Sequence, residues 1–166
     1  MTPSAEHRGR PPGELGPRLL FARLTETLNQ FVEEYRLHHP NDKVSEEWSV
    51  KDVLCHITYW HQYYAENLAT EAKGIAFVFR NIRGSQINQT GVESLRSYSD
   101  EQIVGRLTAG HKMLKRSVYS GKVTQMTYRK GAKPYSLSEF LDIIDRHIQR
   151  HTAAMKKAKK ARSADE

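Results

Sequence analysis

Three capping boxes fix the starts of three helices in this chain. In a capping box, a serine side chain at the helix N-cap accepts a hydrogen bond from the backbone N–H three residues on, and the side chain of that residue accepts one from the serine N–H. The pairs are Ser49 with Asp52, Ser99 with Gln102, and Ser136 with Glu139. Apolar residues at spacings of three and four follow each box, and the same spacing follows Pro17. The sequence therefore predicts four amphipathic helices.

Four such helices predict an all-α fold, a four-helix bundle over residues 17–157 with one long crossover between helices two and three. The crossover, residues 74–98, is predicted to contain short helical pieces, and connections of this length are often functional lids. The stretch VTQMTY alternates in polarity, but one extended arm does not make a sheet. Residues 1–16 are rich in proline and glycine and are predicted to form a disordered arm. Residues 158–166 are predicted to form a basic, frayed tail.

The net charge of +7 raises the question of nucleic-acid binding. The excess charge is concentrated near the two ends of the chain, and no groove-reading or stacking motif accompanies it, so nucleic acid is not an expected partner. A nucleic-acid-binding protein would instead show steeply salt-dependent affinity for DNA. No apolar run approaches the roughly 20 residues that span a bilayer, so no membrane association is expected. Cys55 is the only cysteine, which excludes an intramolecular disulfide and makes the cytoplasm the expected location.

Histidines in the second and last helices indicate a metal site. His147 and His151 are four residues apart, so they lie one above the other on one helix face. With a third imidazole from another helix, they can bind one divalent metal and leave further coordination positions open. Helix two offers His56, at the edge of its apolar stripe, and His61, nearer the centre; periodicity favours His61 as the buried one. His111 on helix three is a candidate fourth ligand, and the alternative for every buried histidine is a hydrogen-bonded core residue.

Two segments carry a resemblance to a known family: EWSVKDVLCHITYWH, and YSLSEFLDIIDRHIQRH some ninety residues later. They resemble the DinB-like four-helix-bundle superfamily, whose members have one histidine early in helix two and an HxxxH in the last helix. The middle segment NQTGVESLRSYSDEQIVGRL is more similar to its ClbS/DfsB branch. The similarity covers roughly residues 18–157. It implies that His56, His147 and His151 bind a divalent metal, zinc or nickel, because His56 occupies the position of the histidine in the family's DVLxH pattern.

The resemblance also implies a range of functions. The superfamily includes thiol-dependent S-transferases and isomerases, and the ClbS-like branch includes proteins that protect against reactive, DNA-damaging natural products. The expectation is therefore a metal-dependent hydrolase or thiol transferase that acts on a small electrophilic molecule, and a homodimer, since the superfamily often dimerises. The alternative is a non-catalytic bundle with structural histidines, which sequesters a small molecule or mediates a protein interaction.

Residues beyond His56 on helix two provide the candidate pocket. Tyr63 lies about two turns after His56 on the same face and is the candidate proton donor. Trp60, one turn after His56, and Asn67 are predicted to line the pocket with Tyr63. Core packing is the alternative role for these aromatic side chains.

Overall fold

A computed structural model of the protein describes residues 15–79, 84–127 and 131–164. The described chain is mostly helical, which confirms the predicted all-α fold. Its helices are α1 (Pro17–Arg36), α2 (Val50–Ala72), α3 (Gly84–Leu95), α4 (Asp100–Tyr119) and α5 (Leu137–Ala164). Two short strands, β1 (Gln125–Met126) and β2 (Tyr135–Ser136), pair antiparallel before α5 begins. The four predicted helices are α1, α2, α4 and α5, and α3 is a fifth helix within the crossover.

The three capping boxes form as predicted. Ser49 Oγ accepts from the Asp52 N–H at 3.2 Å, and the Ser49 N–H donates to Asp52 Oδ2 at 2.9 Å. The same reciprocal pair of bonds starts α4, between Ser99 and Gln102. Before α5 the pair is Ser136 and Glu139, whose two bonds are 2.8 and 3.1 Å long. Because each box satisfies two backbone N–H groups that would otherwise lack partners at the start of a helix, it fixes where the following helix begins.

The core lies between two main helix pairs, α1 with α5 and α2 with α4. Each of the four helices contributes large side chains that are almost wholly buried. Examples are Leu24 and Phe31 on α1, Leu54 and Leu68 on α2, Leu107 and Leu114 on α4, and Phe140 and Ile144 on α5. Within each pair the spacing is four, seven or fourteen residues, which keeps both side chains on one helix face, as the apolar stripes of the sequence predict. None of the helices that the structure describes is long and apolar enough to cross a membrane.

Helix α3 packs closely against α2 within the crossover. Gly91 is buried, and a Cβ atom there would lie 2.6 Å from the ring of Tyr59. Only glycine therefore allows the two helices to approach this closely without a shift. The Trp60 Nε1–H adds a hydrogen bond of 2.8 Å to Asn88 Oδ1 on α3. The predicted helical piece in the crossover is thus a helix held by specific contacts with α2.

The C-terminal part of α5 differs from the prediction. The predicted disordered arm lies outside the described residues apart from its last two, but the tail predicted to fray from residue 158 is helical as far as Ala164. The reason is a set of contacts at Arg162. Its guanidinium donates to His38 Nδ1 at 3.0 Å and lies 3.1 Å from Asp42 Oδ2, just beyond the end of α1. This hydrogen bond and ion pair hold the end of α5 against the α1–α2 loop.

Candidate metal centre

The structure brings the three predicted ligands together. His56 lies between one and two turns into α2, and the capping box at Ser49 sets its direction. His147 and His151 lie one turn apart on α5 and face it. One nitrogen atom from each of the three rings can be chosen so that all three atoms lie within 4.8 Å of one another. Among the residues that the structure describes, this is the one group of three or more histidine, cysteine, aspartate or glutamate side chains that could hold a metal ion.

The rings form a nearly regular triangle. Their centroids are 5.0 Å apart for His56 and His147, 4.8 Å for His56 and His151, and 4.9 Å for His147 and His151. The Nε2 atoms of His56 and His147 are 3.0 Å apart. Tetrahedral zinc, with bonds of about 2.0–2.1 Å to imidazole, sets its ligand nitrogens about 3.3 Å apart. The separations in the triad therefore suit donor atoms that share one ion.

The protonation state of the triad also suits a metal. Burial, together with the neighbouring His151 and His147, lowers the pKa of His56 to about 3. Burial likewise lowers the pKa values of His147 and His151 to about 4, with Arg150 contributing to both. All three imidazoles are therefore neutral at pH 7 and have a lone pair available. Neutral imidazole is a good ligand for zinc and nickel, so the donor set fits the predicted ions.

Trp48 is a member of this site that the sequence analysis did not identify. Its indole centroid lies 4.7 Å from the His56 imidazole and 6.1 Å from that of His151, with the His151 ring nearly parallel at 15°. Trp48 immediately precedes the N-cap Ser49, a position that by itself indicates packing against the first turn of a helix. Nothing in the local sequence relates it to His151, which approaches from α5. The indole therefore covers one side of the triad.

The residues predicted to form the pocket lie further along α2. Besides its bond to α3, the Trp60 ring packs against those of Tyr63 and Tyr64 at 5.4 and 5.6 Å. Asn67 is buried, and its amide donates to the carbonyl of Thr127 at 3.3 Å. The Tyr63 ring lies 5.2 Å from that of Phe77. The described contacts of Trp60 and Asn67 are thus with other groups of the protein, and their role in lining a pocket stays a prediction.

Tyr63 also lines a cleft of about 230 Å³ between α2, α3 and α4. None of the triad histidines is among its described lining residues. Those residues are Tyr59, Gln62, Tyr63, Glu66, Ser94, Leu95, Tyr98 and Arg106. The Arg106 guanidinium lies 4.2 Å above the ring of Tyr98, a cation–π contact. The cleft and the triad are therefore separate features.

His61 and His111 form a second pair and are not part of the described three-histidine group. His61 is 1% exposed, as the periodicity of helix two predicted, but His56 is buried as well, at 4%. The Nε2 atom of His61 lies 3.0 Å from His111 Nδ1. His111 Nε2 lies 2.8 Å from Thr25 Oγ1, and its ring stacks on Phe21 with centroids 4.6 Å apart. Burial lowers the pKa of His61 to about 3 and that of His111 to about 4. These are therefore two neutral histidines within the bundle.

Comparison with known proteins adds information about the fold. No protein-family model matches the chain, and no curated protein matches it. Among solved structures, the chain is similar to the crystal structure of an uncharacterized protein from Clostridium difficile 630. The TM-score is 0.66 at 13% sequence identity, and the match covers 87% of this chain and 96% of that chain. At this identity, the similarity shows that the two proteins share a fold.

Proposed function

We propose that this protein is a DinB-like helical bundle, near the ClbS/DfsB branch, that binds one zinc or nickel ion through His56, His147 and His151. In this proposal it acts on a small electrophilic molecule by hydrolysis or thiol transfer. One observation carries the metal site: three imidazoles from two helices, all neutral at pH 7, present nitrogen atoms within 4.8 Å of one another.

The polar groups of the triad support a ligand role over a purely structural one. A histidine that only stabilises a core is expected to have hydrogen-bond partners on both ring nitrogens. His56 Nδ1 is buried without such a partner among the described residues, and the Nε2 atom of His56 meets only another imidazole nitrogen. Where two neutral imidazole nitrogens face each other, one must carry a proton and donate it to the lone pair of the other. A metal ion instead accepts a lone pair from both nitrogens.

Residues around the triad would shape its chemistry. When bound, a divalent ion with three neutral ligands supplies a water of lowered pKa or an activated thiolate. The indole of Trp48 excludes solvent from one side of the triad. Arg150 is exposed, yet close enough to lower the pKa values of His147 and His151 by repulsion. This charge favours an anionic substrate or a thiolate at the open side of the site.

The cleft beside Tyr63 supports the alternative, a bundle that sequesters a small molecule. It combines tyrosine rings with a carboxylate and a guanidinium, from Glu66 and Arg106, but none of its described lining residues is a triad histidine. Such a lining suits a small aromatic ligand with polar groups. A ligand that binds in this cleft with equal affinity in the presence and absence of metal would favour this second function.

Metal content tests the proposed function. Untagged, gently purified protein is analysed for metals beside His56→Ala, His151→Ala and the control His39→Ala, which removes an exposed histidine outside the triad. We expect close to one ion per chain in the wild type and the control, and loss of the ion in both triad variants. Circular dichroism confirms that the variants remain helical. The proposal fails if the wild type takes up neither zinc nor nickel, or if both triad variants retain the ion.

A further inference from the structure

The cleft between α2, α3 and α4 has walls that are fixed by contacts within the protein. The ring of Tyr59 lies so close to α3 that a Cβ atom at Gly91 would be 2.6 Å from it. Tyr98, in the link between α3 and α4, is held through its backbone. Its carbonyl accepts from Lys51 Nζ at 2.9 Å, and its N–H donates to the Leu95 carbonyl at 3.1 Å. A cleft with such walls needs little ordering when a ligand binds.

Two side chains of opposite charge line this cleft, and neither has a partner among the described residues. Arg106 on α4 is half-buried, and its guanidinium lies 4.2 Å above the centre of the Tyr98 ring. Glu66 on α2 is exposed. Within the described part of the chain, Arg106 and Glu66 form no ion pair, either with each other or with another residue. Both charges are therefore available to a ligand.

The geometry of Arg106 suits a carboxylate. Stacking on Tyr98 occupies one face of the planar guanidinium, whereas its N–H donors lie in the plane and stay available. A carboxylate accepts two parallel hydrogen bonds from such a fork, and this bidentate pair is among the stronger polar contacts in proteins. A ligand with only a carboxylate would, however, be repelled by Glu66, which lines the same cleft. A second, cationic group on the ligand turns that repulsion into attraction.

The remaining walls of the cleft indicate the rest of the ligand. Tyr59, Tyr63 and Tyr98 are all lining residues, and aromatic rings pack favourably against another aromatic ring. The volume of about 230 Å³ lies below the roughly 300–1,000 Å³ of pockets for drug-sized molecules. The ligand that fits these features is small and aromatic, and it has one carboxylate and one ammonium group.

We propose that this cleft binds a free amino acid with an aromatic side chain. Its carboxylate accepts from the Arg106 guanidinium, its ammonium donates to the Glu66 carboxylate, and its ring packs among the tyrosines. This inference rests on the second function proposed above, a bundle that sequesters a small molecule, and names the class of its ligand. It does not depend on the metal site, because none of the described lining residues is a triad histidine.

Titration with L-phenylalanine, followed by two-dimensional NMR of nitrogen-15-labelled protein, measures both the affinity and the place of binding. EDTA is present throughout, so that a bound metal plays no part. The comparison compounds are 3-phenylpropionate, which lacks the ammonium, and phenethylamine, which lacks the carboxylate. We expect phenylalanine to bind most tightly of the three, with its largest shifts at residues 59–66, 94–98 and 106.

Variants of the two charged residues test the role of each. Arg106→Gln should weaken phenylalanine binding by about tenfold or more, because a charge-assisted bidentate contact is lost. Arg106→Lys should recover part of this loss, since it restores the charge without the planar fork. Glu66→Gln should weaken binding by about two- to fivefold, because an exposed ion pair is screened by water, and should not weaken binding of 3-phenylpropionate. The control Lys112→Gln removes an exposed charge from α4 outside the cleft and should match the wild type.

Wild-type phenylalanine affinity in both Arg106→Gln and Glu66→Gln would overturn the inference. So would binding of 3-phenylpropionate or phenethylamine in the cleft as tightly as phenylalanine, although a bundle that sequesters a small molecule would then still stand. If none of the three compounds shifts residues of the cleft, both the inference and that second function fail. The metal content of the protein tests the triad independently of all these results.

Discussion

The indole of Trp48 lies 4.7 Å from the imidazole of His56, measured between ring centroids, at a tilt of 54°. The two residues are eight positions apart, on either side of the N-cap that starts α2. Trp60, the other tryptophan of the chain, contacts α3 through its hydrogen bond to Asn88. Trp48 therefore lies against the candidate metal ligands, and Trp60 serves as the comparison when metal binding is followed by tryptophan fluorescence.

Nickel binding should quench the fluorescence of Trp48. Ions with unpaired d electrons quench an excited indole at short range, and Trp48 is in contact with two of the proposed ligands. We expect strong quenching in Trp60→Phe, where Trp48 alone emits, and weak quenching in Trp48→Phe. A nickel titration followed by fluorescence measures both. Equal quenching in the two variants would place the bound ion elsewhere.

The stability of the metal-free protein should fall as the pH falls from about 6.5 to about 4. A histidine of the unfolded chain titrates near pH 6.5, whereas burial lowers the pKa values of five histidines in the fold to about 3 or 4. Between these pKa values the unfolded chain binds more protons. Each extra proton lowers the free energy of unfolding by about 1.4 kcal/mol per pH unit.

Urea unfolding in the presence of a chelator, repeated across this pH range, measures the slope. His61→Leu should reduce it by close to one proton, because it removes one buried titrating group. A free energy of unfolding that stays constant from pH 6.5 to pH 4 would show that these imidazoles are protonated in the fold.

The helix starts and the shared face of two histidines could be predicted because they depend only on residues close together in the sequence. Ser49, Ser99 and Ser136 begin helices because a capping box involves residues only three apart, so its signal is complete within one short segment. The i, i+4 spacing of His147 and His151 likewise guarantees a shared face once α5 forms. The choice of His56 as the third ligand came from the family resemblance, and the geometry of the triad agrees with it.

The remaining features depend on contacts between segments that are distant along the chain. Trp48 meets His151 across about a hundred residues, and His61 meets His111 across fifty. The continuation of α5 to Ala164 depends on Arg162 reaching the α1–α2 loop, 119 residues away at Lys43. Periodicity identifies a buried face but not the neighbour that covers it. Such contacts appear only when the helices are placed together.

Gly91→Ala should destabilise the protein by about 1–3 kcal/mol, the usual cost of overpacking. The new Cβ would lie 2.6 Å from the Tyr59 ring, so α3 or the ring must move. Gly105→Ala is the matched control: it is an exposed helical glycine whose Cβ would meet no atom within 4 Å, and it should stabilise α4 by about 0.5–1 kcal/mol. Urea unfolding measures both. A Gly91→Ala variant as stable as the wild type would show that α3 does not pack against Tyr59.

Arg162→Ala should loosen the end of α5 and leave the metal site intact. The guanidinium bonds to His38, Asp42 and the Lys43 carbonyl hold this end, whereas His151 lies three turns earlier on α5. These bonds are near the surface, so the loss in global stability should be at most about 1 kcal/mol. Native-state hydrogen exchange should become faster for residues 156–164 alone, with Lys160→Ala as a control that removes an exposed charge from the same end. Unchanged exchange would show that helix propensity alone, without Arg162, keeps this end of α5 ordered.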